Sequence, residues 1–220
     1  MGYESYVQHL GPTRHLPLDH VDFDGLVEDI VSFNLSAASD AQVLDASGLA
    51  NVPRALSITN PIVFEEAIGS FDSFSVGLSV VGGENQALIS YDDGSLSISS
   101  VSVPGTWNSS LTFWYEPETV ENAFQVSLGG NTSPAIPAGP WVHLVYNGSW
   151  HIDVLSDGPG VLAVQQFQTT GGLLSAGEVS DLRSLARLGV IVRGVVDSTG
   201  IIFGEDSADG IAANWHIVSV

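Results

Sequence analysis

Apolar and polar positions alternate along most of the chain from about residue 55 onward. The clearest run covers residues 74–80, where Phe, Val, Leu and Val alternate with Ser, Gly and Ser. Successive side chains of a strand point to opposite faces, so this period of two predicts strands with one apolar face. The same alternation or an equally apolar run recurs at 55–59, 87–91, 95–99, 111–115, 124–128, 141–146 and 150–155.

Turn signals separate several of these strands. Asp92-Asp93-Gly94 follows one strand, and Asn147-Gly148-Ser149 joins residues 141–146 to 150–155. Asx–Gly pairs are typical of tight hairpins because both residues tolerate positive φ. The pattern therefore predicts an antiparallel two-sheet sandwich in which one face of each sheet is buried. Residues 19–55 are interpreted as loops with one or two strands, and further short strands are predicted at 15–19, 190–192, 201–203 and 214–220.

Two segments have helical spacing instead. The first has one apolar face made of Tyr3, Tyr6, Val7 and Leu10, and Gly11-Pro12 ends it. It is interpreted either as a frayed terminus or as a docking arm, which would hold a neighbouring subunit or the sandwich itself. We therefore divide the chain into an arm, 1–12, and a sandwich domain, 13–220.

The second helix is predicted over residues 179–188. Ser180 or Asp181 would cap its start, and Gly189 would end it. The fold class expected from all these patterns is all-β, with one short N-terminal helix and one short interior helix.

The charge composition argues against several classes of binding partner. The chain has 25 acidic and 5 basic residues, giving a net charge of −20, and all five basic residues are arginines. Nucleic acids and anionic membranes are bound by clustered Lys and Arg, so neither is an expected partner. The negative net charge results from the small number of basic residues, which favours a GC-rich genome that avoids lysine codons, or a general avoidance of basic surface, over salt adaptation. With 44% hydrophobic residues the chain can still bury a sizeable core.

The absence of cysteine excludes disulfides and thiolate metal sites. The N-terminal segment lacks the basic start and apolar run of a secretory signal, and no stretch reaches the roughly 20 apolar residues of a membrane span. We expect a protein that does not insert into a membrane.

Three stretches carry a resemblance to a known family. Residues 74–78 look like a strand of the type Phe-Ser-Val-x-Leu, residues 138–148 like a Gly-x-Trp-x-His strand and turn, and residues 150–158 like the strand and Asp-Gly turn that follow. Together they resemble the concanavalin A-like lectin/glucanase jelly roll, in particular the laminin-G-like domains of phage minor tail proteins. The resemblance spans roughly residues 3–220. It implies a jelly-roll sandwich and a place in a phage virion.

The carboxylates do not form the pattern of this family's glucanases. Retaining glycosidases place two carboxylates about 5–5.5 Å apart, and the Glu-x-Asp-x-x-Glu-like run that supplies them is missing. Glu65-Glu66 and Glu205-Asp206 are adjacent pairs, which a strand would turn to opposite faces. His143 lies in the family's core strand and is interpreted as structural. The expectation is a protein without catalytic residues.

A calcium ion is the one cofactor that the acidic loops could hold. Many members of the superfamily bind Ca²⁺, which takes roughly six to eight oxygen ligands. Residues 204–210 bring Glu205, Asp206 and Asp209 into one expected loop, and a second acidic cluster lies at 19–24. The alternative is that each is a solvated turn.

Carbohydrate binding would use exposed aromatic rings with polar neighbours. Trp107 and Asn108 fall in an expected loop at 104–110, and Trp150 follows a turn. Packing of the loop on the protein is the alternative for Trp107. Trp141 is assigned to the core.

The leading hypothesis is a non-enzymatic minor tail or tail-tip protein of a phage virion. Its expected partners are other virion subunits, in a symmetric homo- or hetero-oligomer, and host surface glycans. The alternatives are a purely structural decoration or assembly subunit without a ligand, and a carbohydrate-active enzyme of the same fold.

Overall fold

The computed structural model describes residues 1–45, 48–83, 85–101, 123–196, 201–206 and 218–219, with side chains as far as residue 192. Within these residues the chain is mostly β, with two α-helices. The helices are α1 (Tyr3–His9) and α2 (Ala176–Leu188). The strands before residue 102 are β1 (Pro12–Leu16), β2 (Leu26–Asp29), β3 (Asn34–Ala37), β4 (Gln42–Asp45), β5 (Arg54–Ser57), β6 (Ile62–Val63), β7 (Ser73–Ser79), β8 (Gln86–Tyr91) and β9 (Gly94–Val101). The later strands are β10 (Ala123–Leu128), β11 (Asn131–Thr132), β12 (Ile136–Pro137), β13 (Trp141–Tyr146), β14 (Trp150–Ser156), β15 (Ala163–Thr170), β16 (Val192–Val196), β17 (Ile201–Asp206) and β18 (Val218–Ser219).

Two sheets form the body of the molecule. The seven-stranded sheet has the order β14-β13-β7-β15-β5-β4, with β1 also paired to β15. The six-stranded sheet has the order β11-β10-β9-β8-β6, with β12 also paired to β10. The pairings are antiparallel except that of β6 with β8, which is parallel. The remaining strands form a two-stranded hairpin, β2-β3, and a small sheet, β16-β17-β18.

The largest apolar cluster takes side chains from both main sheets. The seven-stranded sheet supplies Phe74, Val76, Leu78, Val142, Leu144, Val164 and Phe167, and the six-stranded sheet supplies Leu88, Leu96, Ile98, Phe124 and Val126. All of these side chains are at most 3% exposed. The two sheets therefore bury their facing sides against each other, as the alternating pattern predicts.

The opposite face of the seven-stranded sheet is buried as well, beneath the two helices and residues 48–53. A second apolar cluster joins Tyr3, Tyr6 and Val7 of α1, Leu49 and Val52, Val145 of β13, and Val179, Leu182, Leu185 and Ala186 of α2. The sequence predicted that one face of each sheet is buried, and in this sheet the second face is buried too. Its Ser and Gly positions on β7 are covered by protein.

Helix α2 begins three residues earlier than the periodicity suggests. Ser175 is its N-cap rather than Ser180 or Asp181, because the Ser175 hydroxyl accepts from the Glu178 amide while the Glu178 carboxylate accepts from the Ser175 amide. This reciprocal capping box satisfies two amides that the first turn leaves without helical partners. The helix ends at Gly189 as predicted, where φ is +74°.

Candidate functional site

An aromatic row crosses three neighbouring strands of the seven-stranded sheet. Strand pairing places Tyr146 of β13 opposite both Phe74 of β7 and Trp150 of β14. The ring centroids of Tyr146 and Trp150 are 5.1 Å apart, those of Phe74 and Tyr146 are 5.6 Å apart, and those of Phe74 and Trp150 are 5.3 Å apart. Such cross-strand aromatic contacts stabilise a sheet and hold each ring in one orientation.

The row is buried at one end and partly open at the other. Phe74 is 1% exposed and belongs to the core, whereas Tyr146 and Trp150 are only partly buried. The Trp150 indole N–H has no hydrogen-bond partner in the part of the chain that the structure describes. The neighbouring rings therefore fix the orientation of the Trp150 ring.

The amide of Asn131 lies at the open end of the row. The Tyr146 hydroxyl donates to Asn131 Oδ1 at 2.9 Å, which leaves the amide NH₂ of Asn131 without a partner among the described residues. A planar amide beside aromatic rings and a phenol hydroxyl is a combination suited to sugar rings, which offer apolar C–H faces and hydroxyl edges. We call Trp150, Tyr146 and Asn131 the aromatic site.

A separate groove of about 930 Å³ runs beside the β2–β3 hairpin. It lies between β3 and residues 60–66, and its walls combine Leu35, Pro61, Val63 and Phe64 with Asn34, Ser36, Asn60, Glu65 and Glu66. The Ser36 hydroxyl donates to the Val63 carbonyl across it. We call this concavity the hairpin groove.

The Glu66 carboxylate in this groove is fully engaged. It accepts from Arg14 at 3.0 Å, from the Ser32 hydroxyl at 3.2 Å and from the Asn34 amide. Arg14 also pairs with the buried Asp29 at 3.4 Å and lies over the Tyr91 ring. The neighbouring Glu65 is exposed. The pair Glu65-Glu66 therefore consists of one bound and one solvated carboxylate.

A buried hydrogen-bond network lies under α1. The Tyr3 hydroxyl is 2.8 Å from His143 Nε2 and 3.1 Å from Ser75 Oγ, and Ser75 also accepts from the Gln168 amide at 2.7 Å. Burial lowers the pKa of His143 from 6.5 to about 4; the nearby Asp153 raises this pKa and Arg183 lowers it further, both by smaller amounts. Burial likewise raises the pKa of Tyr3. His143 is thus a neutral, structural residue at pH 7, as its position in the sequence suggested.

An ion pair links the edge strand β14 to α2. Arg183 donates two hydrogen bonds to Asp153, at 2.7 and 2.8 Å, and this bonding raises the pKa of Arg183. The Tyr6 hydroxyl donates to Asp181 at 2.9 Å and joins α1 to the same helix. The first contact holds α2 against the sheet, and the second holds α1 against α2.

The N-terminal residues predicted as an assembly arm pack within the chain. Tyr3, Tyr6 and Val7 are at most 6% exposed, and Leu10 is partly buried against the same cluster. Of the alternatives considered, docking onto the sandwich is the one observed. In this arrangement the apolar side of α1 is not available to a neighbouring subunit, because the sheet and α2 already cover it.

The structure describes the predicted metal ligands only in part. The backbone of Glu205 and Asp206 belongs to strand β17 rather than to the expected loop, and Asp209 lies outside the described residues. In the other acidic cluster, Asp22 accepts from the amides of Asp24 and Leu26 and so stabilises a turn. Across the described ranges, no three His, Asp or Glu residues are grouped closely enough to hold a metal ion.

The structure describes one of the three predicted carbohydrate-binding residues. Trp150 lies in the aromatic site, whereas Trp107 and Asn108 fall outside the described residues. Trp141 is buried at 2% exposure, as expected for a core residue. Sequence reasoning missed Tyr146 and Asn131. The tight turn at 147–149 could have revealed Tyr146, because such a turn places residues 146 and 150 opposite each other.

Comparison of the chain with protein-family models, with curated proteins and with solved structures gave no match. Within the described residues, neither helix has the length and apolar character needed to cross a membrane.

Proposed function

We propose that this protein is a non-enzymatic binding module that contacts a neutral glycan through the aromatic site. The observation that carries the proposal is the partly exposed Trp150 ring, held by Tyr146 and Phe74 beside the Asn131 amide, whose NH₂ has no partner among the described residues. An aromatic ring that is already fixed loses little conformational entropy when a sugar stacks on it.

Charge favours a neutral ligand over an anionic one. The chain carries a net charge of −20, and three of its five arginines, Arg14, Arg54 and Arg183, are paired with carboxylates. A surface of this sign repels sulfated, phosphorylated or uronic-acid polymers at low and physiological ionic strength.

The fold we propose for this module is a jelly roll, and the setting we propose is the tail of a phage virion. Two largely antiparallel sheets with one shared core support the first part. The second part rests on the sequence resemblance to laminin-G-like domains of minor tail proteins. It predicts that genes for other tail components flank the gene for this chain, and a neighbourhood of metabolic genes would contradict it.

The test is binding of the purified chain to an array of neutral oligosaccharides, followed by titration of the best ligand. Trp150→Leu keeps apolar packing against Phe74 but removes the stacking surface, and Asn131→Ala removes the free amide. Each is expected to weaken binding by about fivefold or more, since ring stacking and one hydrogen bond are each worth about 1 kcal/mol.

Asn60→Ala is the matched control, because Asn60 is an exposed asparagine of the hairpin groove that bonds to Asp40. It is expected to leave glycan binding intact. The proposal fails if no neutral glycan binds, or if Trp150→Leu and Asn131→Ala both bind as the parent does. Release of reducing ends from a bound glycan would instead favour the carbohydrate-active enzyme.

A purely structural virion subunit is the second candidate. The hairpin groove favours it, because its exposed aliphatic side chains suit a polypeptide better than a sugar.

A further inference from the structure

The hairpin groove lies between two strand edges that do not pair with each other through backbone hydrogen bonds. Among the described strands, β3 is paired only with β2, and β6 only with β8. The facing sides of β3 and residues 60–66 line the groove, bridged by the Ser36 hydroxyl on the Val63 carbonyl. Because the Val63 carbonyl is already bonded, an extended polypeptide in the groove would be held mainly through its side chains, with backbone pairing limited to the open edge of β3.

Large apolar side chains are exposed along the same hairpin. Leu35 and Val63 in the groove are 55% and 51% exposed, and Phe33 at the β2–β3 turn is 74% exposed. Isolated exposed apolar residues are ordinary, but several on one hairpin and the facing wall indicate an interaction surface.

The backbone at Phe33 adds an independent observation. Its φ is +60°, a left-handed conformation that Gly or Asn adopts far more readily than a bulky aromatic residue. Phe33 also buries little of its ring, so packing does not compensate for this strain. Strain at an exposed position is a reason to look for a role in binding.

The rim of the surface is acidic. Glu28 lies opposite Leu35 in the β2–β3 pairing, and Glu65 is an exposed carboxylate of the groove. The one arginine near them, Arg14, is already held by Asp29 and Glu66. A second copy of the chain would bring an identical acidic rim against this one in a two-fold interface, which is unfavourable.

We propose that the hairpin groove binds an extended segment of a different protein that alternates apolar with basic residues. The apolar residues would lie against Leu35 and Val63, and the basic ones would reach Glu28 and Glu65. This docking surface is separate from the aromatic site, so the chain can hold a neighbour by one face and a glycan by another.

The test uses labelled ten-residue peptides and fluorescence anisotropy at physiological salt. A peptide of alternating Lys and Val is expected to bind about tenfold more tightly than one of alternating Lys and Ser, because two apolar contacts are added to the same charge. A peptide of alternating Glu and Val is expected not to bind.

The double variant Leu35→Thr/Val63→Thr is expected to remove the preference for the Lys–Val peptide. Val43→Thr is the matched control, since Val43 is an exposed valine, 42% accessible, on the edge strand β4. Phe33→Asn provides a second variant that relieves the strained backbone, and it is expected to unfold no more easily than the parent while binding the Lys–Val peptide less tightly.

Equal binding of the Lys–Val and Lys–Ser peptides would overturn the proposal, because it would show that charge alone determines the affinity. It is also overturned if the double variant keeps the preference. Sedimentation equilibrium supplies a third outcome: a dimer of the parent that the double variant abolishes would make a second copy the occupant.

Discussion

The two faces of the seven-stranded sheet are both buried, yet they have opposite chemistry. Toward the other sheet, β7 presents Phe74, Val76 and Leu78. Toward the helices, the same strand presents Ser73, Ser75, Gly77 and Ser79, all of them buried. Alternation in a strand therefore reports which face is apolar, but it does not report which face is exposed.

The polar face can be buried because its groups are bonded and small. Ser73 accepts from the Leu174 amide, Ser79 donates to the Gly139 carbonyl, and Ser75 joins the network under α1. At Gly77, which bears no side chain, Leu49 approaches to contact distance. Paired polar groups lose little on burial, whereas the Nδ1 atom of His143 has no partner in the described part of the chain.

The apolar face is expected to contribute more to stability per side chain. Phe167 of β15 is fully buried in the core between the sheets. Phe167→Ala is expected to lower the free energy of unfolding by about 3–5 kcal/mol, because it removes the ring and leaves a cavity. Urea unfolding at pH 7 measures this. A loss below about 1 kcal/mol would mean that the core is less tightly packed than the apolar face suggests.

The polar face is expected to make stability depend on pH. The pKa of His143 is about 4 in the fold and 6.5 in the reference state, so the unfolded chain takes up this proton first as pH falls. Stability is complete above about 6.5, declines as pH falls toward 4, and loses roughly 3 kcal/mol from this group in total. Urea unfolding of the parent and His143→Gln at pH 7 and pH 4 measures the difference.

His143→Gln keeps a side chain that can bond to Tyr3 but does not take up a proton. It is expected to be less sensitive to acid than the parent, and exposed His9→Gln serves as the control for histidine number. If the free energy of unfolding falls equally from pH 7 to pH 4 in the parent and in His143→Gln, protonation of His143 does not contribute to the acid sensitivity.

A change in α2, the helix that covers the polar face, is expected to have the smallest effect on stability. Ser175→Ala removes one half of the capping box at the start of α2. The expected loss is about 1 kcal/mol, because one amide of the first turn loses its partner. The Glu178 carboxylate also loses the hydroxyl that chiefly lowers its pKa. Thermal unfolding measures the change, and an unchanged midpoint would mean that the helix is held by its apolar side alone.

Several strands could be predicted from the sequence because their alternation is regular and their turns are explicit. Strand β13 has the predicted bounds, β7 begins and ends one residue earlier than predicted, and β14 ends one residue later. Strand β15 was missed, although it pairs with β1, β5 and β7 near the centre of the sheet.

The composition of β15 explains the miss. It carries Gln165, Gln166 and Gln168, and all eight of its residues are buried. Its register shifts between Gln165 and Gln168, and Gln166 has a φ of +51°, so a bulge interrupts the period of two. A polar, bulged strand has neither signal by which strands are recognised in a sequence.

The candidate site was predictable only in part. Trp150 was identified as an aromatic residue after a turn, and its partner Tyr146 follows from the same turn. Asn131 could not be assigned, because it reaches Tyr146 from the β10–β11 hairpin in the other sheet. The hairpin groove likewise depends on where β3 lies relative to residues 60–66, which no local pattern encodes.

The sequence alone determined the β-rich architecture, the two helices and the acidic, lysine-free surface, because each depends on local periodicity or on counting charges. Only the tertiary structure decided that both faces of the seven-stranded sheet are buried, that α1 packs against its own chain, and that a groove separates the edges of β3 and β6. These features depend on contacts between residues distant in sequence, and the pattern along a single strand carries no information about what packs on top of it.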